Sequence, residues 1–180
     1  MIILASKSPR RKELLSLITD DFTVDSAGVD ETLPSDIEPD KAVEYLSKIK
    51  AQPFRKSGKI VIGADTVVAI DGKILGKPKN EKDAFLMLKN LSGKEHSVFT
   101  GVTIIKNDKE VTFSVQTKVK FFELDDREIE DYISSGEPFD KAGAYGIQGK
   151  GSLFVEKIDG DYFNVVGLPI SRLARQLKSI

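Results

Sequence analysis

Short runs of apolar residues alternate along the chain with segments in which apolar residues recur every three or four positions. Short continuous runs predict buried strands, and the wider spacing predicts amphipathic helices. The first elements are a predicted strand at 1–5 and a helix that starts at Ser8 and Pro9 and runs to about Ile18. Serine is a favoured N-cap, and proline suits the first helical turn. This alternation predicts an α/β fold.

The same alternation continues to the end of the chain, with turn residues between the elements. Asp71-Gly72, Asn107-Asp108 and Asp159-Gly160 each separate two strand-like runs and predict tight turns, so we expect three antiparallel hairpins. Further strands are predicted at 22–29, 60–70, 73–75, 95–106, 110–122, 153–158 and 163–166. Further helices are predicted at 39–52, 80–91 and 125–135 and from Pro169 onwards.

The apolar stretch 60–78 contains one acid, Asp65, inside a strand whose β-branched residues indicate cover on both faces. A buried carboxylate without a partner is costly. Asp65 must therefore be paired, bind a metal or lie at an exposed end of the strand. The second strand of the hairpin, 73–75, is expected to bring Lys77 close to Asp65. The hairpin thus predicts an acid and a base that face one site.

Composition describes an ordinary globular protein and excludes several classes of chemistry. The 180 residues suit one domain over 1–180, and the net charge of −1 argues against nucleic-acid binding by bulk electrostatics. The absence of cysteine excludes disulfides, a thiolate nucleophile and cysteine-ligated zinc. No apolar run is long enough for a signal peptide or a membrane span. We expect a cytoplasmic protein with neither a nucleic-acid nor a membrane partner.

One segment has features of an anion site, and a second has features of a closely packed loop. Ser6, Ser8, Arg10 and Arg11 lie at a predicted strand-to-helix junction, where free backbone N–H groups and the helix dipole attract phosphate. The glycine-rich segment 140–151 predicts a loop that passes close to something else. Carboxylates and basic side chains together are what metal-assisted phosphoryl chemistry needs. Nearly every soluble protein has both, so composition alone favours plain surface charge.

The single histidine, His96, lies in a predicted strand, which favours a structural role and argues against a Ser-His-Asp triad. One histidine also excludes a three-histidine metal site. The glycine spacings match neither GxxxxGK[ST] nor GxGxxG, so the standard nucleotide-binding loops are absent.

Seven blocks of sequence, in order and across essentially the whole chain, resemble the Maf family of nucleoside triphosphate pyrophosphatases. The blocks are LASKSPRRKELL (4–15), GVDE (28–31), GADTVV (63–68), GKP (76–78), LSGKEHSVFTGV (91–102), SGEPFDKAGAYGIQGKG (135–151) and FNVVGLP (163–169). The resemblance implies an elongated, curved mixed sheet flanked by helices, with two lobes and a central cleft, similar to the inosine triphosphatase group. It also implies hydrolysis of a nucleoside triphosphate to the monophosphate and pyrophosphate with Mg²⁺ or Mn²⁺.

The resemblance further implies roles for individual residues. Asp65 matches the family's proposed general base and Glu31 a metal-site carboxylate; whether Asp65 acts as base, metal ligand or both stays open. Arg11, Thr66 and Gln148 occupy positions associated with base selectivity. The form AGAYGIQG resembles the branch that acts on dTTP and UTP rather than the branch that prefers 7-methyl-GTP. The implied phosphate-binding residues are Ser6, Ser8, Arg10, Arg11, Lys50 and Lys77. The two lysines, together with Asp65 and Glu31, are the implied catalytic residues.

Two alternatives stay open beside hydrolysis of dTTP and UTP. The same reaction could act on modified or purine nucleotides. From a different class, the family's association with septum formation suggests a nucleotide-binding regulator of cell division. Relatives are commonly dimers, so a homodimer is compatible with the resemblance.

Overall fold

The structure of this protein is a computed structural model that describes residues 1–180. It contains a seven-stranded mixed β-sheet flanked by six helices. The strands are β1 Ile2–Ala5, β2 Phe22–Asp25, β3 Ile60–Ile70, β4 Lys73–Leu75, β5 Glu95–Lys106, β6 Lys109–Phe121 and β7 Val155–Asp159. The helices are α1 Pro9–Ser16, α2 Pro39–Ala51, α3 Glu81–Leu91, α4 Asp126–Ser134, α5 Tyr162–Val166 and α6 Ile170–Ser179. Short 3₁₀ segments cover Gln52–Ser57, Glu137–Asp140, Ala142–Ala144 and Gly149–Phe154. None of the helices combines the length and apolar composition that crossing a membrane requires.

The central strand β3 has a gap along one of its edges. The main strand order is β2-β1-β3-β5-β6-β7, with β4 paired to β3. Strand β1 runs parallel to the first part of β3 and its pairing stops at Gly63, whereas β4 pairs antiparallel from Val68 onwards. Residues 64–67 therefore have a strand neighbour only on the β5 side. This gap leaves room for a cleft beside Asp65.

Two hydrophobic cores lie on either side of that gap and define the two predicted lobes. The first core joins the start of β3, represented by Ile62, to β1, α1 and α6. The second joins the end of β3, represented by Val68, to α3, α4 and the end of β6. Strands β3 and β5 run through both cores, so the lobes share one sheet. The predicted α/β fold with a mixed sheet, two lobes and a central cleft is confirmed.

Local sequence signals set most element boundaries. Strands β3, β4 and β5 agree with prediction to the residue. Ser8 and Asn80 cap α1 and α3 through their side chains, as their positions before apolar periodic segments predict. Asp125 and Glu128 form a complete capping box at α4. These contacts satisfy N–H groups that the first helical turns would otherwise leave without partners.

Two predicted strands are wrong. The strand predicted at 22–29 ends at Asp25, because β2 pairs only with the four residues of β1, beyond which the chain turns into α1. The segment predicted as a strand at 163–166 lies in α5, where the Asp161 side chain accepts a hydrogen bond from the Phe163 N–H at 2.8 Å. Strand β7 pairs with β6 instead, so the third predicted hairpin does not form.

The single histidine is structural, as predicted. His96 is buried in β5, and its Nε2 shares a hydrogen bond of 2.8 Å with the hydroxyl of Tyr145. The rings of Phe121 and Tyr145 pack edge-on against it, and its Nδ1 has no partner. Burial lowers the pKa of His96 from 6.5 to about 4.

The buried His96 should make the protein less stable in mild acid. The unfolded chain takes up the His96 proton as pH falls below about 6.5, whereas the folded protein takes it up only near pH 4. Stability is therefore full above the unfolded pKa and falls by roughly 3 kcal/mol down to the folded pKa. Urea unfolding at about pH 7 and about pH 4 should show a smaller acid loss for His96→Gln than for the wild type. Equal losses in the two proteins would contradict this role.

Candidate active site

A cavity of about 700 Å³ opens at the gap in β3. It receives side chains from β3, the start of α1, the end of α2, the loop after β4 and the glycine-rich segment. All of the site residues predicted from the sequence line this one cavity: Ser6, Ser8, Arg10, Arg11, Glu31, Lys50, Asp65, Thr66, Lys77 and Gln148. Residues from five of the Maf-like blocks, together with Lys50, therefore converge on one place.

Asp65 is paired, and its partner is Lys50. The Lys50 Nζ lies 2.5 Å from Asp65 Oδ1 and 3.0 Å from Glu31 Oε2, so one ammonium group bridges two carboxylates. The side chains of Lys50 and Asp65 are only 17% and 14% exposed, whereas that of Glu31 is 54% exposed. This pairing compensates the burial of the Asp65 charge. Lys77 lines the same cavity but is exposed and makes no ion pair with Asp65.

Two strand glycines bring Lys50 within reach of Asp65. A Cβ atom at Gly63 would lie 2.2 Å from the Ser47 carbonyl oxygen, and one at Gly101 would lie 2.1 Å from the Val43 carbonyl oxygen. Helix α2 therefore packs directly on the backbone of β3 and β5. Gly101 is also the residue of β5 that pairs with Asp65. The close approach places the last turn of α2, which carries Lys50, over the acid.

Arg11 contacts the protein through its whole guanidinium group. It donates hydrogen bonds to the Gly167 carbonyl oxygen at 2.8 Å, Thr66 Oγ1 at 2.9 Å and Ser6 Oγ at 3.2 Å. Burial lowers the pKa of Arg11, and the negative charge of Asp65 acts in the opposite direction. Two of the predicted selectivity residues, Arg11 and Thr66, are thus directly bonded to each other.

Arg10 points away from its neighbour in sequence. Its Nη1 lies 3.4 Å from Asp140 Oδ2, at the start of the glycine-rich segment. The two arginines of the SPRR block therefore have different partners. Arg11 is hydrogen-bonded to the cavity wall, whereas Arg10 pairs with the exposed carboxylate of Asp140. A ligand phosphate could replace that carboxylate. Both arginines belong to the N-terminal turn of α1, where the Ser8 hydroxyl accepts a hydrogen bond from the Arg11 N–H.

The close approach predicted for the glycine-rich segment is made to β3, a partner that the sequence did not specify. Gly143 has a positive φ of 69°, and a Cβ atom there would lie 2.9 Å from the side chain of Val68. Its N–H donates to the Gly76 carbonyl oxygen at 3.0 Å, next to Lys77. Only glycine fits both the backbone angle and the space. This contact holds the exposed Gln148 and Lys77 on the same side of the cleft.

The acids of the cavity fit a divalent cation that is shared with a phosphate ligand. Asp65 and Glu31 are close enough to be bridged by one ammonium group. No three or more His, Cys, Asp or Glu residues are arranged so that they alone could hold a metal ion. Mg²⁺ commonly binds through one or two carboxylates together with substrate phosphates and water. The donor set is therefore suited to a cation that arrives with, or is completed by, a polyphosphate.

Four residues in or behind the cavity wall are not among the predicted site residues. Asp140 and Lys141 line the cavity and are joined by an ion pair of 2.7 Å. Thr100 and Asn164 support Thr66 from behind, since Thr100 Oγ1 lies 2.8 Å from Thr66 Oγ1 and donates to the Asn164 carbonyl oxygen. Asp140 and Lys141 belong to the glycine-rich block, which was a usable signal. Thr100 and Asn164 also lie in Maf-like blocks, at 91–102 and 163–169, but the blocks do not indicate their contacts, because these depend on how the strands and α5 pack.

The fold and the site together define an α/β protein with a cationic cleft for a polyanion, built at the gap in the central strand of a mixed sheet. In fold, the chain is similar to the Ham1 protein of Staphylococcus aureus. The match has a TM-score of 0.50 and 17% sequence identity, and it covers 67% of this chain and 71% of that chain. This likeness concerns the fold alone.

The family described as Maf-like protein matches residues 1–180, and the chain belongs to that family. Three similar proteins are each named dTTP/UTP pyrophosphatase. The protein of Bacillus pumilus strain SAFR-032 is 52% identical over 180 residues, which cover 99% of this chain and 95% of that protein. The protein of Bacillus cereus strain ATCC 14579 is 55% identical, with coverages of 98% and 94%. The protein of Thermosipho africanus strain TCF52B is 57% identical, with coverages of 96% and 89%.

Proposed function

We propose that this protein hydrolyses dTTP and UTP to the nucleoside monophosphate and pyrophosphate. The observation that carries the proposal is the partly buried carboxylate of Asp65, which faces a cavity lined by more cationic than acidic side chains. A carboxylate in such a place can accept a proton, while the cations offset the charge of a triphosphate. The names of relatives that are 52% to 57% identical over nearly the whole chain support the same substrates.

The reaction is water attack at the α-phosphorus. The water oxygen forms a bond to the α-phosphorus, and the bond from that phosphorus to the oxygen shared with the β-phosphorus breaks. Asp65 takes the proton of the attacking water, and pyrophosphate leaves with the electron pair of the broken bond. Lys50 orients Asp65 and adds positive charge beside it. Arg10 and Lys77 stabilise the negative charge that develops on the departing pyrophosphate.

Asp65 and Glu31 are the residues that would hold a divalent cation, Mg²⁺ or Mn²⁺. When bound, such a cation supplies charge neutralisation on the phosphate oxygens and lowers the pKa of bound water. Lys50 Nζ contacts both carboxylates, so a cation held by Asp65 and Glu31 would compete with this ammonium group and leave it free to contact the phosphates. Lys50 then contributes to phosphate binding as well as to the placement of the acids.

Gln148, Arg11 and Thr66 are proposed to select the base. An amide side chain both donates and accepts hydrogen bonds, which matches the alternating donor and acceptor groups on the edge of a thymine or uracil ring. Arg11 fixes the Thr66 hydroxyl at 2.9 Å, and the Gln148 side chain is exposed in the cavity. A purine would have to place a larger ring system against the same groups.

A nucleotide panel tests the proposed function. The purified protein should convert dTTP and UTP to monophosphate and pyrophosphate in the presence of Mg²⁺ or Mn²⁺, as followed by chromatography of the products. Excess chelator should abolish turnover, and added Mg²⁺ should restore it. Faster turnover of purine or modified triphosphates would favour the alternative substrates. Release of orthophosphate alone, or no turnover, would contradict the proposal.

We further propose that residues 1–180 act as one Maf-like domain in the cytoplasm, in a monomer or a homodimer. The continuous path of β3 and β5 through both hydrophobic cores supports a single domain. Light scattering at several concentrations distinguishes the monomer from the dimer.

A further inference from the structure

We propose that Glu137 is a positioning residue that holds the glycine-rich segment 146–151 in the conformation that presents Gln148 to the base of the substrate. Glu137 itself does not line the cavity. The inference rests on the proposed function and adds a residue to the machinery that selects the nucleotide.

The carboxylate of Glu137 accepts three hydrogen bonds from this part of the fold. Its Oε2 accepts from the backbone N–H of Lys150 at 3.0 Å, and its Oε1 accepts from the backbone N–H of Gly151 at 3.2 Å. The hydroxyl of Tyr132 donates to the same Oε1 at 3.2 Å. A carboxylate bonded to successive backbone N–H groups fixes a loop more firmly than neutral acceptors do.

The backbone of the loop is shaped around this carboxylate. Gly149 has a positive φ of 67°, and a Cβ atom there would lie 2.8 Å from Glu137 Oε2. A Cβ atom at Gly151 would lie 2.3 Å from the Gly146 carbonyl oxygen. These glycines let the two ends of the loop approach each other and the acid. Gln148 lies between the two ends of the loop, Gly146 and Gly151.

Glu137 is in turn connected to the core of its lobe through Tyr132. The ring of Tyr132 is buried and packs edge-on against Phe154, with ring centroids 4.9 Å apart. Burial, together with the charge of Glu137, raises the pKa of Tyr132, so the hydroxyl stays protonated and remains a donor. The loop is therefore attached to a rigid part of the fold.

A second contact from the same segment holds the other end of the loop. The Lys141 Nζ donates to the Glu137 carbonyl oxygen at 2.6 Å. The alkyl chain of Lys141 then lies against Gly146, where a Cβ atom would be 2.7 Å from Lys141 Cε. The carboxylate of Glu137 thus binds the end of the loop at Lys150 and Gly151. Its backbone carbonyl contacts the beginning of the loop, at Gly146, only through Lys141. Gln148 is held from both sides.

The role of Glu137 predicts a selective loss of nucleotide recognition. Glu137→Ala should raise the KM for dTTP and UTP by about tenfold, because a mobile Gln148 must be ordered on binding. It should change kcat by less than about threefold, since Asp65 and Lys50 belong to other elements. Glu137→Gln keeps one acceptor oxygen and should give a smaller increase in KM, about threefold.

Inorganic tripolyphosphate separates positioning from a general structural effect. It has the phosphates of the substrate but no base, so its inhibition constant should be the same in the wild type and both variants. Glu156→Gln is the matched control, because Glu156 is an exposed acid on β7, and it should alter neither constant. Thermal unfolding of each variant shows that the proteins compared are folded.

Two results would overturn the role of Glu137, provided that the wild type is active. One is that Glu137→Ala weakens the binding of tripolyphosphate and of nucleotide equally, and the other is that it changes neither. A wild-type protein without turnover would overturn the proposed function and this inference together. The two failures are therefore distinguished by the wild-type assay alone.

Discussion

Asp65→Asn should lower kcat for dTTP hydrolysis by roughly 10²- to 10⁴-fold, the usual range for loss of a general base. Asparagine has nearly the same shape as aspartate but cannot take a proton from the attacking water. It also removes the charge that pairs with Lys50 at 2.5 Å and one of the two carboxylates that are proposed to hold a cation. The cationic side chains that bind the phosphates remain. Nucleotide affinity, measured by calorimetry with a non-hydrolysable analogue, should therefore change by only a few fold.

Asp71→Asn is the matched control for this substitution. Asp71 is the exposed residue that follows the same strand, in the turn to β4, where its φ is 51°. Asparagine tolerates that left-handed conformation, so Asp71→Asn should leave both kcat and stability unchanged. Turnover that survived Asp65→Asn would show that another group activates the water. A cell-division phenotype that depended on the protein but survived Asp65→Asn would favour a nucleotide-binding regulator.

Gly101→Ala should destabilise the protein and reduce its activity together. The added methyl group would lie 2.1 Å from the Val43 carbonyl oxygen, so α2 must move away from the sheet. Overpacking of this kind costs about 1–3 kcal/mol of unfolding free energy. The shift also moves Lys50 from Asp65, and a displacement near 1 Å at a site can reduce the rate by about 10²-fold. Urea unfolding and kcat, measured on the same preparation, test both effects.

Gly28→Ala is the corresponding control, because a Cβ atom at Gly28 would have no neighbour within 4 Å and the residue has no positive φ. Its stability should match that of the wild type within about 0.5 kcal/mol. A Gly101→Ala protein as stable and active as the Gly28→Ala protein would show that α2 adjusts without moving Lys50. The direct packing of α2 on the strand glycines would then not control the site.

Most elements of the fold could be predicted from the sequence because their signals are local. Apolar runs and caps placed β3, β4, β5 and the starts of α1, α3 and α4 correctly. The strand predicted at 163–166 failed because apolar composition over four residues does not distinguish a short helix from a strand. The Asp161 cap, which accepts a hydrogen bond from an N–H only two residues away, distinguishes the helix from a strand.

The site could be predicted as a set of residues but not as a set of contacts. The carboxylates, cations and selectivity residues implied by the Maf resemblance all line one cavity. Their pairing was not predictable, since the residues that contact each other are far apart in the chain. Arg10 bonds to a residue 130 positions away, and Arg11 to the Gly167 carbonyl 156 positions away.

Asp65 shows most clearly what the sequence determines by itself and what only the tertiary structure determines. The sequence by itself determined that Asp65 needed compensation, because a carboxylate inside an apolar strand is costly whatever surrounds it. The hairpin predicted that Lys77 faces the same cleft as Asp65, and Lys77 lines the cavity without forming an ion pair with that acid. The tertiary structure alone supplied Lys50 as the partner of Asp65, through the close packing of α2 on Gly63 and Gly101. Such a choice depends on the distance between a helix and a sheet, and local sequence does not contain that distance.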